Sequence, residues 1–309
     1  MSYEPYATES KNWFPVCWLS LLYTIKGYSH TTTKFSDTLH QQLIDIGHHK
    51  LFITERGKKE AKFTVVFEAG GGGNSKDWEK VLAILPPDTR AIAYDRAGFG
   101  KSERGPLPRT MAQEVFELHA LIKTLKIKGP VILVGQSLGG LLVRLYTEQY
   151  GKNIVGVLLV DPAHESGMFG SMKYGGWVRL REKAAGKPVP KPQLKKTISP
   201  GYDSTADYMA EEFQYIYLSG MKTPNQLKDR PVIIIGAGIR NPPPGTPDEQ
   251  WKELRAERDK QVQDLTALSS NSKFILDPKS SHMVQKDNPE IIVSAIQMIM
   301  DSITAKTRL

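Results

Sequence analysis

The chain has almost no cysteine. Cys17 stands alone among 309 residues, so no intramolecular disulfide can form and nothing marks an oxidising compartment. It lies among aromatic residues with no activating partner and reads as an inert apolar side chain. Basic runs are also missing. Lys and Arg exceed Asp and Glu by 8 charges, but they are spread along the sequence. That pattern argues against a nucleic-acid groove. It leaves attraction to an anionic membrane, or more simply a solvated surface. Internal repeats, low-complexity tracts and a glycine-rich phosphate loop ending in lysine are absent as well.

No apolar run is long enough to cross a bilayer. The most apolar stretch, "WFPVCWLSLLYTI" from Trp13 to Ile25, has 13 residues, whereas a span needs roughly 20. Glu4 and Glu9 precede it and only Lys11 is basic, unlike a secretory signal. The expectation is a cytoplasmic protein whose residues 1–36 form an apolar extension. That extension either lies on a membrane surface as a peripheral contact or caps an apolar mouth elsewhere on the protein.

What is present is an alternation. Residues 39–54 alternate apolar and polar around Gly47, as an antiparallel hairpin does. Short continuous apolar runs follow at 63–69, 91–95, 131–135, 155–161, 232–236 and 273–277. Such runs suit strands buried on both faces of a parallel sheet. Between them the patterns at 75–85, 110–125, 138–150, 248–269 and 289–303 predict helices, starting at Ser75, Thr110, Leu138, Asp248 and about Asn288. Strand and helix in turn mean an α/β fold, a doubly wound and mostly parallel sheet with an antiparallel N-terminal hairpin. Residues 164–229 break the pattern with Gly, Pro, Lys, Met and aromatics. They read as a helical lid inserted between core segments 37–163 and 230–309.

"VILVGQSLGG" (131–140) carries the chemistry. An apolar strand runs into Gly135-Gln136-Ser137-Leu138-Gly139 and a helix pattern follows, which is G-x-S-x-G in its strand–turn–helix context. A turn that sharp needs small residues at the flanking positions. It lifts the serine hydroxyl above the sheet, with the helix N-terminus under the charge that develops in reaction. A serine nucleophile needs a base. Of the seven histidines, His282 lies in the loop "SSHMVQKDNPE" after the last strand, on the same sheet edge as Ser137. His164 is the rival. His48 and His49 belong to the hairpin, and His119 to a helix.

With "FEAGGGGNSKDW", "YDRAGFGKSERG", "GQSLGG" and "SSHMVQKDNPEII" in this order, the chain from about residue 39 onward, the lid excepted, resembles an α/β-hydrolase. The resemblance implies Ser137 as nucleophile and His282 as base. It implies an oxyanion hole from two backbone N–H groups, Leu138 and Gly71, with Gly70 or Gly72 as substitutes because the family's histidine before this loop is absent. It assigns Asp95 and Arg96 a structural role. The family's acid usually follows the strand reading "VIIIG", yet no carboxylate stands between Pro231 and Pro247. Some members carry the acid one strand earlier, where this chain has Asp161. A carboxylate ending a buried strand is costly unless paired, so Asp161 is the first candidate. Asp248 is the alternative acid, and Glu165 or no acid at all stays open.

The activity so implied is hydrolysis of a carboxylic ester or related acyl compound, with no metal or organic cofactor and a small apolar acyl or aromatic substrate. The same machinery also serves amide and lactone hydrolysis, including aminopeptidases of the proline-iminopeptidase kind. A ligand-binding receptor on the same scaffold is the rival from another class.

Overall fold

The computed structural model describes residues 39–107, 109–165, 186, 224–242 and 247–309. The apolar extension expected at 1–36, with Trp13 to Ile25, lies outside the described residues, and so does nearly all of the lid expected at 164–229. No helix among the described residues is long and apolar enough to cross a membrane.

Eight strands form one sheet. They are β1 (His40–Asp45), β2 (Lys50–Arg56), β3 (Thr64–Glu68), β4 (Arg90–Tyr94), β5 (Val131–Gln136), β6 (Ile154–Val160), β7 (Val232–Ala237) and β8 (Ser272–Asp277). The spatial order is β1-β2-β4-β3-β5-β6-β7-β8. β2 pairs antiparallel with both β1 and β4, and every later pairing is parallel. The antiparallel hairpin is thus at one edge, and Gly47 supplies the positive φ of 108° in its turn.

The continuous apolar runs are strands because both faces of the parallel sheet are covered. In β5, Val131 and Leu133 join one core cluster while Ile132 and Val134 join the other. The first cluster packs against α2 (Met111–Thr124) and α3 (Leu138–Tyr150). The second packs against α1 (Glu79–Ile84) and α6 (Pro289–Ala305). Each fully buried Leu or Ile of these layers contributes about 1.5–3 kcal/mol relative to exposure.

Helix boundaries follow their caps. Thr110 accepts from Gln113 N–H and starts α2, and Asn288 accepts from Ile291 N–H and starts α6. The starts at Ser75 and Asp248 fall where expected, with different local geometry. The first helical segment opens as a 3₁₀ turn, Ser75–Trp78, because Asn74 and Asp77 close a capping box ahead of α1. Asp248 is the first residue of α4 (Asp248–Asp264), and its cap position belongs to Pro247. Between β8 and α6 lies one short turn of helix, α5 (Val284–Asp287).

Candidate active site

Four neighbouring strands, β5, β6, β7 and β8, end on the same edge of the sheet. In an open α/β sheet this carboxyl edge is where sites form. Ser137 follows β5, Asp161 follows β6, Arg240 lies three residues past β7, and His282 lies in the loop after β8.

Ser137 sits at φ 52° and ψ −118°, directly before α3. A non-glycine residue there is strained, and the surroundings must over-determine it. They do. Ser137 N–H donates to Val160 O at 3.1 Å, and Ser137 O accepts from Gly140 N–H at 3.0 Å and Ala163 N–H at 2.8 Å. The glycines of the motif are space requirements. A Cβ on Gly135 would lie 2.3 Å from Gly139 O. One on Gly139 would lie 2.5 Å from Glu68 O, and one on Gly140 would lie 2.7 Å from Pro162 Cβ. Strand end, helix start and the segment after β6 therefore lock together through backbone contact.

Asp161 is fully buried and also has a positive φ, 37°. Its N–H donates to Ile235 O at 2.7 Å. His282 Nδ1 lies 2.5 Å from Asp161 Oδ2, while the ring itself is 49% exposed. The structure thus joins the histidine and the carboxylate that follow β8 and β6. Asp248 is exposed on the first turn of α4, with no side-chain hydrogen bond or ion pair to another described residue. Glu165 is committed elsewhere, gripped by both terminal nitrogens of Arg144 at 2.5 and 3.1 Å. His164 lies beside that pair, 3.7 Å from Glu165.

The loop carrying His282 is tightly tied. Ser280 Oγ and Asn288 Nδ2 donate to Asp277 at 2.5 and 2.9 Å, and Ser281 donates to Asp287 through Oγ and N–H at 2.6 and 2.8 Å. Ile239 N–H reaches Ser280 O at 2.9 Å, linking this loop to the one after β7.

Two residues of the site had no clear signal in the sequence. The first is Gln136. Its amide nitrogen donates to His282 O at 2.9 Å and lies 3.2 Å from His282 Nε2. Both contacts are satisfied if Nδ1 carries the proton towards Asp161 and Nε2 is the acceptor. The second is Arg240, whose Nη2 and Nη1 donate to Asp161 Oδ1 and Oδ2 at 2.5 and 3.3 Å. Ala237 N–H donates to Oδ1 at 3.3 Å, and Arg258 stands 4.0 Å off. Burial alone would raise the Asp161 carboxyl. The His282 hydrogen bond and the charges of Arg240 and Arg258 outweigh it and hold the group below its usual value.

The glycine loop after β3 lies against the serine. A Cβ on Gly70 would come within 3.3 Å of Ser137 Cβ, and one on Gly71 within 3.7 Å of the Leu138 side chain. Arg96, itself buried, donates to Ala69 O and Gly70 O at 2.7 Å each and pairs with Glu68 at 2.5 Å. Asp95 accepts from Ser75 N–H and Lys101 N–H at 2.8 Å each. Both residues of "YDRAGFGKS" therefore fasten turns, and Arg96 fastens the glycine loop in particular. "GAGIRN" ends β7 and delivers Arg240 to Asp161.

A serine on a strained elbow, an imidazole–carboxylate pair on the same edge and a clamped glycine loop define a class. The alpha/beta hydrolase family pattern matches residues 65–295, and the chain belongs to that family. It is 27% identical over 249 residues to the uncharacterized protein YqjL of Bacillus subtilis, covering 79% of this chain and 86% of that one. A shorter stretch of 129 residues is 36% identical to a probable transporter, efuK, of Hormonema carpetanum, but spans only 18% of that protein. Among solved structures, a thermophilic esterase from Thermogutta terrifontis matches with a TM-score of 0.59 at 18% identity, over 85% of this chain and 99% of the other.

Proposed function

We propose that the chain is a serine hydrolase that cleaves a carboxylic ester or related acyl compound through an acyl-enzyme. The observation that carries this reading is the Asp161–His282 pair at 2.5 Å, on the sheet edge where Ser137 is held at φ 52°. Among the described residues no hydrogen bond joins Ser137 to His282, whose Nε2 faces the Gln136 amide. Catalysis therefore asks Ser137 Oγ to take that place, a movement of a half-exposed ring.

In the first half-reaction Ser137 Oγ gives its proton to His282 Nε2 as its oxygen bonds to the acyl carbon. Asp161 keeps the imidazole in the tautomer with Nδ1–H and stabilises the imidazolium. The negative oxygen meets the N–H groups of Leu138, at the start of α3, and Gly71. Gly71 is favoured by peptide geometry. Arg96 holds the Gly70 carbonyl, and across a trans peptide the Gly71 N–H points the opposite way. The C–O bond then breaks and the alcohol leaves with the proton from His282. Water, deprotonated by His282, attacks the acyl carbon; the acyl C–Oγ bond breaks, His282 returns the proton to Ser137 Oγ, and the carboxylic acid leaves. No step calls on a metal or organic cofactor.

The esterase among the similar structures accords with this reading. A small apolar acyl or aromatic substrate, entering under a lid formed by 164–229, completes the proposal, together with membrane-surface contact through Trp13 to Ile25. An aminopeptidase would need a free carboxylate for the substrate amine; of the candidates Glu165, Glu211 and Glu212, Glu165 is occupied by Arg144 and the other two lie outside the described residues. The test is hydrolysis of p-nitrophenyl esters of graded acyl length by wild type and Ser137→Ala. Turnover that survives the substitution would end the proposal.

A further inference from the structure

The family usually places its acid after the strand that is β7 here. This chain has a cation there instead, and that cation reaches the acid of the neighbouring strand. Arg240 Nη2 lies 2.5 Å from Asp161 Oδ1 while His282 Nδ1 lies 2.5 Å from Oδ2. One buried carboxylate thus serves two cationic or proton-bearing partners, His282 on Oδ2 and Arg240 at short range on Oδ1 with a longer contact to Oδ2. We infer that Arg240 is a positioning residue that orients Asp161 and, by setting a permanent positive charge on the same carboxylate, competes with a proton on His282 for that one negative charge.

The argument is electrostatic and geometric. An imidazolium on Asp161 draws its stability from that one negative charge. Arg240 already satisfies it through a two-pronged contact, the geometry in which a guanidinium binds a carboxylate most firmly. A proton added to His282 would place a second cation on the same group, in a site where burial makes charges interact strongly. Among the described residues, these groups lie around the pair. Arg258 on α4 stands 4.0 Å from Asp161 Oδ1 and adds to the positive side. Asp259 on α4 lies 3.4 Å from Arg240 Nε and 3.7 Å from Arg255 Nε, and draws part of Arg240's charge away. Gln136, which faces the other ring nitrogen, is neutral. Arg240 is mostly buried, so solvent screens it only in part.

The orienting role is separable from the charge. Arg240 and Ala237 N–H bond Asp161 from the β7 side, and Arg258 holds Asp161 O and Pro162 O at 3.4 and 2.5 Å. Together they fix a residue whose φ of 37° is unfavourable for a side chain. Arg240→Lys would keep the charge and lose the fork.

This inference rests on the proposed role of His282 as base, but its test does not need a substrate. The imidazole of His282, assigned by comparison with His282→Gln, is titrated by NMR in the full chain, in Arg240→Met, Arg240→Lys and Asp259→Asn. The pH profile of kcat/KM for a p-nitrophenyl ester is recorded alongside. In Arg240→Met the imidazole midpoint and the acid limb of the profile should move up by about one pH unit. In Arg240→Lys both should stay close to wild type. In Asp259→Asn, a half-exposed position whose change leaves Arg240's charge less neutralised, both should move down. An unmoved or lowered midpoint in Arg240→Met would overturn the inference, as would a lysine variant that shifts as far as the methionine one. If Arg240→Met does not fold, Asp259→Asn decides alone, and no shift or an upward one there overturns it. A wild type that shows the predicted titrations but turns over no ester would leave the role of Arg240 standing and remove the ester reading instead.

Discussion

His282 and Asp161 are 121 positions apart in the chain, yet Nδ1 of one lies 2.5 Å from Oδ2 of the other. The fold brings them together because β6 and β8 flank β7, so that their C-terminal loops open side by side. The contact gives the account its first prediction. Asp161→Asn should lower kcat on p-nitrophenyl esters by about 10⁴-fold, because an amide favours the wrong imidazole tautomer and leaves the imidazolium unsupported. Asp248→Asn, at the exposed start of α4, should stay near wild type. The comparison is steady-state kinetics on the two variants in parallel, and a crippled Asp248→Asn with an intact Asp161→Asn would reverse the assignment.

Glycines of the elbow and its loop should differ in cost for steric reasons. A Cβ on Gly139 would sit 2.5 Å from Glu68 O and 2.7 Å from Ala69 O, both backbone atoms that cannot turn aside. Gly139→Ala should therefore destabilise by about 1–3 kcal/mol and displace the glycine loop, lowering activity as well. A Cβ on Gly72 meets nothing within 4 Å, and its cost is only the strain of φ +77°. Gly72→Ala should cost roughly 1 kcal/mol. Urea denaturation of both proteins measures the difference; equal losses would show that contact with β3 is not what the motif glycine protects.

Stability should carry the mark of Glu68. Burial pushes its carboxyl up to about 6 from 4.5, against the opposing pull of Arg96 and the Tyr94 hydroxyl, with Glu114 adding to the rise. The folded state then holds this proton at a higher pH than the unfolded chain does. Its contribution is fully present below pH 4.5 and fades as the pH rises to about 6, a loss on the order of 2 kcal/mol. Glu68→Gln should flatten the fall in unfolding free energy across that window. Denaturant titrations at several pH values would show it, and an unchanged slope in the variant would refute the assignment to Glu68.

Much of the frame is legible in residue order. The strands show as unbroken apolar runs because both faces of the sheet are covered; the hairpin is legible as two strands about Gly47, though its burial does not alternate, β1 being exposed at the sheet edge and β2 buried beyond Lys50. The Asp161–His282 contact is legible because a carboxylate ending a buried strand demands a partner. Arg240 is not. Nothing in "GAGIRN" says that its fifth residue folds back onto the neighbouring strand, since that depends on where the loop after β7 lands. Gln136 is equally silent, an unconstrained position in the motif whose amide meets His282 only in three dimensions. Arg96 reads as a turn residue, and its grip on the Ala69 and Gly70 carbonyls appears only when β4 lies beside β3.

The central claim is that Ser137 is the nucleophile. It is tested most directly by treating wild type and Ser137→Ala with a fluorophosphonate, locating the adduct by peptide mass spectrometry and measuring ester turnover on the same samples. The account predicts a single phosphonylated peptide containing Ser137 in wild type, no adduct in the alanine variant and a loss of nearly all turnover with it. A wild type that hydrolyses the ester unlabelled, or an alanine variant that remains active, would contradict it.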